Sequence, residues 1–92
     1  MATFEDGPFY AEWSRLCGRL NDAWNEIKAL RAQRTEMMER KRRTGVAHDQ
    51  IEFNIITGRI RQLEEEKRGL NTALATLDTV IKAALRADGG AR

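Results

Sequence analysis

Two apolar heptad patterns of nearly equal length run in mirrored order on either side of residues 43–49, and a helical hairpin is the simplest fold that accommodates that symmetry. Arg40, Lys41, Arg42 and Arg43 place cations where a helix exposes its last carbonyls. Gly45 then accepts the left-handed conformation that closes a helix at little steric cost. The first helix is therefore predicted to end near Thr44. Asp49 supplies an N-cap oxygen for the second helix, and Glu52 has the spacing to bond back to the Asp49 amide, an Asp-x-x-Glu capping box. The second helix is predicted from Gln50 to about residue 87, after a turn over residues 45–49. A connection of about five residues between long helices favours antiparallel neighbours.

Pro8 is well placed as a first helical residue, because the amide it lacks would have no partner there. From it the apolar residues fall at Phe9, Trp13, Leu16, Leu20, Ala23, Ile27, Leu30 and Met37, the alternating three-and-four step of a coiled-coil seam, broken only by Arg34. The second helix repeats the step with Phe53, Ile56, Ile60, Leu63, Leu70, Leu74, Leu77, Ile81 and Ala84, broken only by Lys67. Folding the chain at residue 46 sets Met37 near Ile56, Leu30 near Leu63, Trp24 near Leu70, Leu20 near Leu74, Leu16 near Leu77 and Trp13 near Ile81. Arg34 then runs its stem across the seam with its charge in water. The predicted fold is an all-α, antiparallel two-helix hairpin, coiled-coil-like, forming a single domain over residues 1–92. Its arms are each about 50–55 Å long, and a frayed tail from Asp88 to Ala91 comes after the second.

The pattern carries more apolar surface than one seam uses. Tyr10, Cys17, Trp24 and Met38 form a second stripe beside the first, and Ala73, Val80 and Leu85 broaden the last third of the second helix. Phe4, Phe9, Tyr10 and Trp13 gather aromatics at the open end. A pair of helices has little depth in which to hide these groups. Phe9, Tyr10, Trp13, Cys17, Trp24, Met38, Val80 and Leu85 are thus the candidate partner-binding residues. The expected partner is a protein or a second copy, with a dimer that closes into a four-helix bundle as the simplest arrangement.

Charge gives a second candidate. The net charge is only +2, yet residues 31–61 hold eight cations against four carboxylates, so the turn end is positive. Arg34, Arg40, Lys41, Arg42, Arg43 and Arg59 are candidate phosphate-binding residues for nucleic acid. No aromatic lies between Trp24 and Phe53 to stack a base. Acid-first pairs four residues apart, Glu36 with Arg40, Glu39 with Arg43, Glu64 with Arg68 and Asp78 with Lys82, are expected on the exposed faces. Glu64, Glu65 and Glu66 are consecutive in a helix and diverge, so they cannot converge on one ion.

A single cysteine, Cys17, excludes an internal disulfide, and with the single histidine, His48, it cannot close a zinc site. Cys17 reads as a buried thiol and His48 as a turn residue. No phosphate loop, nucleophile elbow or paired-histidine motif is present, so no cofactor is expected. No apolar run reaches the roughly 18 residues of a membrane span. The expected class is a non-enzymatic, cytoplasmic interaction, structural or assembly subunit without membrane contact, comparable in size and composition to small accessory proteins of bacteriophages, in which case a virion location also fits. The alternative is a small nucleic-acid-binding or regulatory protein that uses the basic turn.

Overall fold

A computed structural model describes Gly7 and residues 9–90, with the backbone alone for residues 88–90. Phe4 and Pro8, expected to anchor the open end and to start the first helix, lie outside the described residues. Two helices make the fold, α1 over Tyr10–Thr44 and α2 over Gln50–Gly90, packed against each other as an antiparallel hairpin of 72 × 19 × 16 Å.

The turn forms as its residues dictate. Gly45 takes φ of 72°, and its amide donates to the Lys41 carbonyl at 2.9 Å, closing α1. The Thr44 hydroxyl donates to the Arg40 carbonyl at 2.7 Å and accepts from the Val46 amide at 3.2 Å. Asp49 Oδ1 accepts from the amides of Ile51 and Glu52 at 2.9 and 3.3 Å, which starts α2. The reciprocal half of the expected capping box does not form: Glu52 is exposed to water and bonds nothing in return.

Both outer ends depart from expectation. The first residue of α1 is Tyr10, and Phe9 before it contributes no side-chain cap. The α2 backbone continues through Gly90, beyond the expected end near residue 87, because no positive-φ glycine and no proline interrupts it there.

The seam lies where the heptads place it. Leu16, Ala23, Ile27 and Met37 of α1 and Ile56, Ile60, Leu63 and Leu70 of α2 are its buried members. Ala23, Ile27 and Leu63 form one cluster, and Met37, Ile56 and Ile60 a second. Leu30 packs on both, and Phe53 closes the second toward the turn. Ile27 is the one described residue with no exposed surface, and its truncation to alanine should cost about 2–5 kcal/mol. Toward the open end burial runs out. Leu74, Leu77 and Ile81 are half-buried, while Trp13 and Ala84 are exposed, because a two-helix layer has nothing to lay over its last turns.

The charged pairs are only partly those that spacing suggests. Glu36 meets Arg40 at 3.9 Å and Asp78 meets Lys82 at 3.0 Å, as expected. Arg43 turns to Glu36 at 3.6 Å instead of Glu39. Glu64 reaches across to Arg31, which leaves Arg68 to pair with Glu65 at 3.2 Å. An opposite charge across the seam competes with one on the same helix, and here the cross-helix partner wins.

Candidate interaction surface

The seam leaves the hairpin two long sides, and heptad phase decides what each carries. One step past the seam, α1 presents Tyr10, Cys17, Trp24, Arg31 and Met38, and α2 presents Glu64, Asn71, Asp78 and Leu85. These positions face each other in antiparallel helices. Arg31 is ion-paired to Glu64, and Lys67 Nζ lies 4.2 Å from the centre of the Trp24 ring. The opposite side is laced by Arg19 with Glu66 at 3.3 Å and by Arg59 with Glu26 at 3.1 Å.

This division corrects one grouping. Ala73 and Val80 fall in heptad step with Arg59 and Glu66, so they belong to the Glu26 side, whereas Leu85 is in step with Glu64 and lies on the Trp24 side. The apolar surplus of α2 is therefore split between two surfaces. Tyr10, Cys17 and Trp24 share one side with Leu85, and Met38 lies beyond the Arg31 to Glu64 pair that interrupts the stripe.

Trp24 is the centre of that side. The residue is 37% exposed, and its ring is bracketed by two ammonium groups, Lys67 at 4.2 Å and Lys28 at 5.7 Å. Cation–π contacts of this kind contribute about 0.5–1 kcal/mol at exposed sites. Neither lysine has a carboxylate partner among the described residues. Cys17, Leu20, Asn21, Trp24 and Lys67 line a shallow groove on one side of the ring, and Ile27, Arg31, Glu64, Arg68 and Asn71 line a second beside Trp24 and Lys67. Cys17 is half-buried in the first groove, not enclosed.

At the open end Phe9 and Tyr10 are half-buried, and the Tyr10 ring stacks on the exposed Trp13 with centroids 6.3 Å apart at 28°. Nearby, Arg15 donates to Glu12 at 2.5 and 3.2 Å. That hydrogen bonding holds the Glu12 carboxyl below its usual range and raises Arg15 in turn.

The basic turn is less available than its composition suggests. Arg40 and Arg43 both lean on Glu36, Arg34 is half-buried in the seam, and Arg59 is held by Glu26 and by Gln62 at 3.0 Å. Lys41 and Arg42 stand exposed with no ion pair among the described residues. The structure adds a feature that seam reading passes over: Val46, Ile51 and Ile55 are 69%, 73% and 66% exposed. Ile51 and Ile55 sit four residues apart off the seam, and that aliphatic pair outside the heptad positions is the signal that would have found them.

Among the described residues no group of three or more histidine, cysteine or carboxylate side chains converges, and Glu64 and Glu66 leave toward opposite sides of the hairpin. The His48 ring stacks on Phe53 at 4.5 Å, a packing role. Among the described residues no helix is long and apolar enough to cross a membrane. Compared with known proteins, the chain matches no family model, no curated protein and no solved structure.

Proposed function

We propose that the chain is a non-enzymatic docking subunit, a rod-like hairpin that is held against another protein through its Trp24 side. The observation that carries this reading is the apolar strip of Tyr10, Cys17, Trp24 and Leu85, which runs beside the seam and is only partly covered by the chain's own two helices. Trp and Tyr on an open helical face supply large contact area at low conformational cost, which is why they dominate interface energetics.

Co-purification of the full chain from the cell that makes it, compared with Trp24→Glu, tests the role. The wild type should carry a stoichiometric protein partner, or a second copy of itself, and the variant should lose it while retaining its helical signal. A wild-type chain that comes through as a lone 10.5 kDa species would end the reading.

A second reading is favoured by Lys41 and Arg42, the two turn cations with no carboxylate partner among the described residues. They fit contact with a phosphate backbone. Two phosphates neutralised give a salt dependence of affinity with a slope of only about 2 on logarithmic axes. Nucleic-acid binding that is steeper than this, or that survives Lys41→Glu with Arg42→Glu, would not come from the turn.

A further inference from the structure

Given the docking role proposed above, we infer that the Trp24 side takes an acidic amphipathic helix from a different protein, laid in the groove between α1 and α2 as the third helix of a mixed bundle, and not a second copy of this chain.

The charge on the two long sides differs sharply. On the Trp24 side α1 contributes Lys28, Arg31 and Arg42, and α2 contributes Arg61, Lys67, Arg68 and Lys82. Against these seven cations stand two carboxylates, Glu64 and Asp78, with Glu65 on the outer ridge reaching only Arg68. On the Glu26 side five cations, Arg15, Arg19, Arg40, Arg43 and Arg59, meet six carboxylates, Glu12, Asp22, Glu26, Glu36, Glu52 and Glu66. One side is close to neutral and pairs with itself; the other is strongly positive.

Two cations with no ion pair among the described residues, Lys28 and Lys67, sit at the apolar strip. Lys67 occupies a seam position, where an aliphatic residue would pack, and together with Lys28 it brackets Trp24. A second copy that meets this surface with its own Trp24 side has little to offer them, because Glu64 and Asp78 are already held by Arg31 and Lys82. A two-fold axis at Trp24 would set four ammonium groups around two indoles. Like charges in that arrangement repel, so the surface selects against itself.

The shape fits a helix better than another anionic macromolecule. Tyr10, Cys17 and Trp24 recur every seven residues along α1, the spacing at which a neighbouring helix presents its knobs, and a helix with apolar residues at both the seam and the next position has two neighbours to touch. The strip runs about 21 Å from Tyr10 to Trp24, or two heptads of a partner. The Arg31 to Glu64 pair closes it toward the turn. Base stacking would need a bare indole face, and Lys67 lies over that of Trp24.

The test uses the full chain and two synthetic peptides of three heptads, each with leucine at its seam positions, one flanked by glutamates and the other by lysines. The glutamate peptide should bind at least tenfold tighter than the lysine peptide at low salt. Lys28→Glu with Arg68→Glu, both exposed positions level with the strip, should remove that preference without changing the helical signal. Trp24→Ala should weaken the glutamate peptide about tenfold, and the charge variant keeps the test decisive if this one folds poorly. Equal binding of the two peptides, or none, overturns the inference. So does a wild-type chain that sediments as a dimer with Trp24 protected, or an oligonucleotide that binds through Lys28 and Arg68 where neither peptide does. The dimer outcome leaves the docking role standing. Failure of every ligand, together with an empty native co-purification, removes both.

Discussion

At the scale of the residue, Lys67 sets stability against recognition. It is half-buried at a seam position and lies over Trp24, so replacing it with leucine gives up a cation–π contact of about 0.5–1 kcal/mol and gains about half of the 1.5–3 kcal/mol that full burial of a leucine is worth. Lys67→Leu should therefore raise unfolding free energy by up to about 1 kcal/mol in a denaturant titration, while binding of an acidic peptide falls. A loss of stability would mean that the ammonium group contributes more than its one visible contact. Two glycines make a matched pair of opposite sign. A Cβ at Gly58 meets nothing within 4 Å, so Gly58→Ala in the exposed helix should stabilise by roughly 0.5–1 kcal/mol. Gly45 holds φ of 72°, and Gly45→Ala should cost about 1–2 kcal/mol for the left-handed backbone alone. The same titrations measure both.

At the scale of the element, each helix is started or joined by contacts that a single change removes. Asp49→Ala deletes the acceptor for the Ile51 and Glu52 amides and should cost about 1 kcal/mol, read as an earlier unfolding midpoint with an unchanged slope. Across the seam, Glu26→Arg and Arg59→Glu should each destabilise slightly, and the double swap should recover the loss, with a coupling of about 0.2–1 kcal/mol that salt erodes. The turn and the seam are legible in the sequence because their signals are local or periodic: Gly45 and Asp49 act on their own neighbours, and a heptad needs no knowledge of its partner. The sides of the hairpin follow from the same heptads once the antiparallel pairing is applied, which sets Val80 with Glu26. Which partner Glu64 bonds, Arg68 or Arg31, is not fixed by spacing, because both lie within its reach once the chain has folded back. The open end escapes the pattern for a related reason. Trp13 and Ala84 stand at good seam positions, yet burial there needs a covering layer that these two helices do not supply.

At the scale of the whole molecule, the accessible surface is 7064 Å². A compact monomer of 10.5 kDa would expose about 5,400 Å², so the hairpin presents about 1,600 Å² more than its mass requires. That excess is comparable with the total area of an ordinary specific interface, to which each partner contributes about half. A single-layer rod with eight buried apolar residues among those described has a small core to set against the ordering of its chain, so its free stability should be low and its melting temperature should depend strongly on what covers the Trp24 side. A ligand present at a hundred times its dissociation constant adds about 2.7 kcal/mol, which for a domain of this length is a rise of about 10–20 °C. The melt followed by circular dichroism should therefore move by that amount when the glutamate-flanked peptide is added at saturation, and should stay fixed when the chain alone is concentrated through the micromolar range. A midpoint that climbs with the chain's own concentration would identify the covering partner as a second copy. One that is already high and indifferent to both would mean that two helices suffice, and that the exposed strip contributes nothing to what the protein is for.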